Sequence, residues 1–355
     1  MSELAVSADP AMLPTVSVVM PCLDEAPHIE AALTSLLDDS YPSDRLECLV
    51  VDGLSRDGTR EIVAAFAARD RRVRLVDNPR RITPSALNVG IVAARGEVLI
   101  RVDAHSRYPP GYIACLVRAL MATGADLVGC AEKETCASTG VMARVIALSL
   151  GGAFATASPF RYRSTSGSAD TVPFGCWRRA TFDRVGLFDE RLVRNQDYEH
   201  ACRLRRAGGR VYLLAEPRYE YVARSRLRDL YRHAAETGKW NAFMQWLHPY
   251  TFRWRHFLPG LFTLGVLFCL FLALGGLVIG RGWMPAVAAG LLAPYALANG
   301  ASALWQTGRA RRLHLAPLVA CIVFGHHFVY GWGICTGWFL VATGEYERHL
   351  GGGGS

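Results

Sequence analysis

The sequence predicts an α/β domain with a mainly parallel sheet, followed by a C-terminal all-α transmembrane region. Three observations predict it. Short β-branched runs alternate with helical runs through the first half. Most of the charge lies before residue 256. After it come three runs without Asp, Glu, Lys or Arg, at residues 257–280, 283–307 and 313–343. An uncharged apolar run of about 18 residues is long enough to cross a hydrocarbon core. Three in succession read as membrane spans rather than as buried helices of a soluble protein. At 355 residues the chain has room for one large domain and something smaller.

The elements follow in order. Residues 16–21, β-branched and ending at Pro21, read as a buried strand. Residues 25–37 carry Ile29, Leu33, Leu36 and Leu37 at helical spacing. A strand at 48–51 precedes a helix at 57–66, with Ser55 and Asp57 as candidate caps. The alternation continues with a strand at 73–76, a helix at 84–94, a strand at 98–102, a helix at 110–122 and a fifth strand at 127–130. Such alternation predicts right-handed crossovers, with ligands at the carboxyl ends of the strands. The first strand is followed by Pro21-Cys22-Leu23-Asp24-Glu25 and lacks G-x-G-x-x-G, which argues against a dinucleotide site.

Residues 1–14 are polar, without a basic start and apolar core, and read as a flexible N-terminus rather than a signal peptide. The ten cysteines are scattered without C-x-x-C or zinc spacing, as expected of free thiols in a reducing compartment. Residues 351–355, four glycines and a serine, read as an appended linker. Arg253 and Arg255 precede the first apolar run, and Arg309, Arg311 and Arg312 separate the second from the third. The positive-inside rule then places the soluble domain in the cytoplasm, with Arg281 dissenting. The net charge of +8 is concentrated near the membrane, where basic residues favour anionic lipids, and does not call for nucleic acid.

Acidic residues recur where strands end: Asp24 and Glu25, Asp52, then Asp103. Each could simply cap the next helix. Together they suit a ligand with ribose hydroxyls and a metal-bound diphosphate. A hard divalent cation takes one or two protein oxygens and completes its shell with phosphate. Asp103 can supply one, and His105 either is a ligand better suited to manganese than magnesium or only orients Asp103 or a phosphate.

Four stretches carry a resemblance: Val18-Val19-Met20-Pro21 with Asp24-Glu25, Val51-Asp52-Gly53-Leu54-Ser55-Arg56-Asp57-Gly58-Thr59, Ser85-Ala86-Leu87-Asn88-Val89-Gly90, and Asp103-Ala104-His105. In order and spacing, residues 15–240 resemble glycosyltransferases of family 2, with their Rossmann-like GT-A fold. Asp-Ala-His in place of Asp-x-Asp resembles the succinoglycan ExoA-like branch, which acts on polyprenyl-linked acceptors in exopolysaccharide assembly. The resemblance implies that Pro21, Glu25, Asp52 and Asp57 surround the uridine of a UDP-sugar, that Asn88 lies close to the donor, and that Asp103 and His105 hold a manganese or magnesium ion. Asp24 departs from the family, which more often has Asn there.

Further on, Gln196-Asp197 matches the family's Glu-Asp motif, with Asp197 in the place of the catalytic base. Inversion by direct displacement needs one base within reach of the attacking hydroxyl and no second, nucleophilic carboxylate. A cap of the helix that ends at Gly208-Gly209 is the alternative role for Asp197. Residues 218–256 interleave Arg and Lys with aromatic residues, as an interfacial amphipathic segment does. Within it Arg232, Lys239 and Trp240 are the candidate acceptor contacts, because arginine pairs well with phosphate and relatives carry a glycine-basic-tryptophan element there. Residues 138–170, with Arg161 and Arg163, suit a mobile flap or contain an ordinary core helix at 141–150. His326 and His327 fall inside the third apolar run and read as neutral histidines packed between helices.

The expected division is a GT-A catalytic domain at 15–217, the interfacial segment at 218–256 and a three-helix membrane anchor at 257–345. The expected activity is inverting transfer of a sugar, glucose first, from a UDP-sugar to a polyprenyl-diphosphate-linked saccharide beside membrane lipids. A polyprenyl-phosphate sugar synthase and a non-catalytic sugar-nucleotide-binding scaffold are the competing readings. A processive polymer synthase fits less well, since Gln-x-x-Arg-Trp is absent.

Overall fold

The computed structural model describes residues 13–136, 140–152, 154, 164–223 and 226–352. The chain divides into two compact units, Met1–Lys133 with Arg163–Val222 and Glu347–Ser355, and Glu134–Tyr162 with Ala223–Tyr346. Arg161, Arg163 and Arg224 lie outside the described residues.

In the first unit, strands β1 (Val16–Cys22), β2 (Leu46–Asp52), β3 (Val73–Asp77) and β4 (Val98–Arg101) form the expected parallel sheet in the order β3-β2-β1-β4. Helices α1 (Ile29–Leu37), α2 (Thr59–Arg69) and α3 (Thr83–Ala93) make the crossovers. The strands are apolar at successive positions because both faces are covered. Val18, Met20, Cys48 and Val50 share a core cluster with α1, α2 and α4 (Tyr112–Thr123). Val19 and Val51 point the other way, against α3, where a side chain at Gly90 would collide with both. Full burial of each such aliphatic side chain contributes about 1.5–3 kcal/mol.

Beyond β4 the sheet departs from the expectation. The short strands β5 (Ser106–Arg107) and β7 (Gly167–Ser168) both pair with the long strand β9 (Val211–Ala223). Strand β8 (Gly175–Arg178) lies antiparallel between β4 and β6 (Leu127–Cys136), so the strand expected at 127–130 is not a neighbour of β4. A four-residue run carries too little periodicity to be read as a strand, and its place comes from pairing alone. Helices α6 (Arg179–Val185) and α7 (Gln196–Arg206) follow β8. Helix α7 ends at the expected double glycine: Gly208 takes a left-handed φ of 77°, and Gly208 and Gly209 donate to Arg205 and Leu204 at 3.0 and 2.9 Å. This is a Schellman closure, which satisfies two terminal carbonyls.

The second unit is helical. Helices α9 (Leu258–Val278), α10 (Trp283–Arg309) and α11 (Ala316–Thr343) lie within three segments long and apolar enough to cross a membrane. Helix α5 (Val141–Leu150), inside the stretch read as a flap, packs Val145, Ile146 and Leu150 against Val319, Ile322 and Val323 of α11. Helix α8 (Leu227–Leu247) carries the segment read as interfacial, and it packs closely along α11. A methyl group on Gly238 would meet the Tyr330 carbonyl, and one on Gly333 would meet that of Ala235. His327 Nδ1 lies 2.9 Å from the Tyr295 hydroxyl of α10, so this histidine sits between helices, while the His326 ring stacks on Tyr330 of its own helix.

One core residue of the first unit has a pH signature. His200 of α7 is buried among Trp177, Phe182 and Phe188. Burial, helped by the Arg203 charge, lowers its pKa from 6.5 to about 3. The unfolded chain therefore takes up a proton near pH 6.5 that the folded chain refuses. Stability is unaffected above that pH and falls as pH drops toward about 3, by at most about 1.4 kcal/mol per pH unit. His200→Phe is expected to flatten this acid slope in denaturation profiles recorded between those limits; an unchanged slope would contradict the assignment.

Candidate active site

The parallel register sets strand ends side by side: Cys22 lies opposite Asp52, Asp52 opposite Asp77, and Val19 opposite Arg101. The segments leaving β1, β3 and β4 converge on a cleft lined by Pro21, Leu23, Glu25, Asn78, Arg81, Arg101, Asp103 and His105, among others. Its volume of about 270 Å³ is at the small end for ligand pockets, so a sugar nucleotide would extend past these residues.

Within the cleft, His105 stands between two carboxylates. Its Nδ1 lies 3.0 Å from Glu25 Oε1, and its Nε2 lies 4.0 Å from Asp103 Oδ2. With Nδ1–H donated to Glu25, Nε2 presents its lone pair on the Asp103 side, a carboxylate–histidine arrangement that orients metal ligands. The two donor types suit a divalent cation, but neighbouring ligands at about 2.1 Å from an octahedral ion stand about 3.0 Å apart, so His105 Nε2 and Asp103 Oδ2, now 4.0 Å apart, would draw together to hold one. Among the described residues no cluster of three His, Cys, Asp or Glu ligands forms. A cation here would complete its shell from phosphate and water. Beneath the pair, the Tyr108 hydroxyl accepts from the Asp103 amide at 2.7 Å and donates to the Asp103 carbonyl at 3.0 Å.

The wall between β1 and α1 is tied to the segment after β2. The Asp24, Glu25 and Ala26 amides donate to Ser55 Oγ, Thr59 Oγ1 and Asp57 Oδ2 at 2.8, 2.8 and 2.9 Å. In return Asp24 Oδ1 accepts from the Arg56 amide at 2.9 Å. These bonds hold residues 23–28 out of the helix, which is why α1 starts at Ile29 and not at residue 25. Asp24 has a left-handed φ of 53°, tolerated by Asp and Asn; an asparagine oxygen would accept the same bond, which accounts for the Asp24 departure. The Thr59 hydroxyl and the Ala26 amide hold the Asp57 carboxyl below the usual carboxylate range.

Several expected donor contacts therefore have other partners. Asp52 is fully buried and receives Arg60 Nη1 at 2.7 Å and the Ser55 amide at 3.0 Å. Asn88, also buried, donates to the Phe188 carbonyl at 2.9 Å and to Glu190 at 3.0 Å, and accepts from the Phe188 amide at 3.0 Å. The structure brings Pro21, Glu25, Asp103 and His105 together in the cleft lining and does not bring Asp52, Asp57 or Asn88 there.

Asp197 stands in the first turn of α7, whose N-cap is Asn195. It accepts only from the adjacent Tyr198 amide, at 2.8 Å, among the described bonds, so it is not the cap. Its Oδ2 lies 3.7 Å from Arg101 Nη1, while Arg101 Nη2 lies 3.3 Å from Asp103 Oδ1. Burial opposes the Arg101 charge, but the Asp103 and Asp197 carboxylates more than offset it and raise its pKa. Arg101 is absent from the expected site residues, although a charge inside Val98-Leu99-Ile100-Arg101-Val102 is itself a signal. The acceptor candidates Arg232, Lys239 and Trp240 lie on α8 of the second unit. There Lys239 pairs with Glu236 at 2.9 Å, and Trp240 is buried edge-on to Phe243.

Residues 17–185 match the family described as Glycosyl transferase family 2. The succinoglycan biosynthesis protein ExoA of Rhizobium meliloti (strain 1021) is 32% identical over 322 residues, covering 89% of this chain and 92% of that protein. The chain belongs to glycosyltransferase family 2. Sugar transfer in glycan biosynthesis is its activity. A more distant relative, the dolichyl N-acetyl-alpha-D-glucosaminyl phosphate 3-beta-D-2,3-diacetamido-2,3-dideoxy-beta-D-glucuronosyltransferase of Methanococcus voltae, is 22% identical and covers 67% of this chain and 78% of that one. Among solved structures, the mannosyltransferase PcManGT from Pyrobaculum calidifontis, in complex with GDP-Man and Mn2+, superposes with a TM-score of 0.57 at 22% identity, covering 92% of this chain and 90% of that one. This likeness shows the GT-A fold of the glycosyltransferase.

Tyr108→Phe would leave the part-buried Asp103 amide without its hydroxyl partner, at a cost of about 1 kcal/mol, the low end for an unmet donor. A lower melting temperature of the detergent-solubilised protein is expected, and an unchanged one would show that the loop does not depend on this bond.

Proposed function

We propose that this glycosyltransferase moves glucose from UDP-glucose, with inversion, to a hydroxyl of a polyprenyl-diphosphate-linked saccharide at the cytoplasmic membrane face. The observation that carries the reading is one continuous set of groups: Glu25, His105 and Asp103 in the cleft, joined through Arg101 to Asp197. Asp103 and His105 would hold a divalent cation, which supplies charge stabilisation for the departing diphosphate. Glu25 keeps the His105 ring turned toward Asp103. Asp197 takes the proton of the acceptor hydroxyl as that oxygen forms its bond to the anomeric carbon. The bond from that carbon to the β-phosphate oxygen breaks, and UDP departs with its electron pair. One displacement of this kind inverts the anomeric centre and leaves no sugar on the protein.

A lipid-linked acceptor is supported by the Methanococcus relative, whose name gives it a dolichyl-phosphate-linked substrate, and by the apolar helices that follow the catalytic region. We assign Arg232 and Lys239 to the acceptor diphosphate, with Trp240 fixing the helix that carries them. The basic residues Arg253, Arg255, Arg309, Arg311 and Arg312 favour a cytoplasmic catalytic domain. The choice of uridine rests on the resemblance of the first four strand ends to the family.

The deciding experiment is a nucleotide-release screen with detergent-solubilised protein, undecaprenyl-diphosphate-linked galactose and manganese. UDP-glucose is expected to be turned over ahead of UDP-galactose, UDP-N-acetylglucosamine and GDP-mannose. Release from no donor would favour the scaffold reading. Asp103→Ala is expected to abolish manganese-dependent UDP binding in calorimetry; equal UDP affinity with and without manganese in the unmodified protein would remove the metal assignment. Asp197→Asn is expected to slow transfer by about 10²–10⁴-fold while UDP binding persists. Near-normal turnover would instead point to a lipid phosphate as acceptor, which needs little help from a base.

A further inference from the structure

Arg101 is a full charge in an apolar strand, with its side chain only 10% exposed. Its guanidinium lies over the Phe174 ring, with 5.4 Å between the central carbon and the ring centre. Phe174 takes up a left-handed φ of 52°, uncommon for a bulky residue, in the position just before the β8 residue that pairs with Arg101. One edge of the guanidinium meets Asp103 Oδ1 at 3.3 Å and another meets Asp197 Oδ2 at 3.7 Å. The second distance is too long for a hydrogen bond, and Arg101 Nε and Nη1 are buried without a hydrogen-bond partner among the described residues.

We propose that Arg101 is a positioning residue that couples Asp103, the metal and nucleotide ligand, to Asp197, the base. The inference rests on the roles given to those two carboxylates above. Asp103 offers Oδ2 to the cation and Oδ1 to Arg101, so a loaded Asp103 fixes one end of a planar, rigid fork. The other end then sets where Asp197 stands when the acceptor hydroxyl arrives. A lysine ammonium, a single point charge, spans the two carboxylates less well than a guanidinium. Arg101 also carries positive charge beside a cation ligand, so it works against metal binding. A residue kept there for stability alone gives no reason for that opposition.

The test uses Arg101→Met and Arg101→Lys in the full-length, detergent-solubilised chain. With UDP and manganese as probes, Arg101→Met is expected to bind as tightly as the unmodified protein, or up to about tenfold tighter. Transfer from UDP-glucose to undecaprenyl-diphosphate-linked galactose is expected to fall about 100-fold in the same variant, with Arg101→Lys recovering part of it. In the Asp197→Asn background, adding Arg101→Met is expected to change the rate by no more than about twofold. Loss of manganese-dependent UDP binding together with a lowered melting temperature would make Arg101 a structural residue and overturn the proposal. Equal slowing in both backgrounds would overturn it as well, by showing that Arg101 does not act through Asp197. If Asp197→Asn alone costs nothing, the base reading has failed; if Asp197→Asn slows transfer and Arg101→Met does not, only the coupling has. The binding measurement needs no acceptor and decides against the proposal by itself if Arg101→Met weakens UDP–manganese affinity.

Discussion

A guanidinium taken out of water has to be met by negative charge, and in this protein that constraint closes the catalytic unit. An unaccompanied buried charge costs several kcal/mol. Arg101 ends the fourth parallel strand with one carboxylate two residues ahead of it and another on a helix far along the chain. Between them the antiparallel strand Gly175–Arg178 brings Phe174 beneath the cation. The insertion that turns a parallel sheet into a mixed one thus also joins the parallel strands to the helix bearing Asp197.

The parallel half was legible in the chain because it obeys a simple rule: strands covered on both faces are apolar at successive positions, and helices show their own period. Asp103, His105 and Asp197 stood out as candidates because their residue types match a chemistry and their order resembles a family's motifs. The partners that Asp52, Asp57 and Asn88 hold within the chain were not legible. A carboxylate after a strand has the same appearance whether it meets a ligand, caps a helix or receives Arg60, and only the geometry separates these cases. Arg101 was hidden for a related reason, since the pattern places it inside a strand without saying which carboxylates it meets. Strand Gly175–Arg178 was hidden because pairing, not pattern, defines it.

Helix Leu227–Leu247 shows the limit from another side. Its basic and aromatic residues suggest a surface segment, while its buried face of Leu230, Ala234, Gly238, Ala242 and Phe243 is shaped by glycines on a distant helix. Gly325, Gly333 and Gly337 are unremarkable inside an apolar run until the Tyr231 ring, the Ala235 carbonyl and the Lys239 carbonyl are set against them. A small residue in such a run marks a place of close approach between helices without saying which helix approaches.

That packing has a consequence for the order in which the chain matures. Helices Val141–Leu150 and Leu227–Leu247 leave the ribosome before the three long apolar helices, yet both rest on Ala316–Thr343, the third of those. Their partner emerges about 70–170 residues after them, and synthesis runs at roughly 5–20 residues per second. For several seconds the nascent protein therefore carries two helices whose apolar faces are uncovered beside a sheet already free to fold. Insertion of the final helix is the event that buries them, so membrane integration of the chain and completion of its helical core are one step.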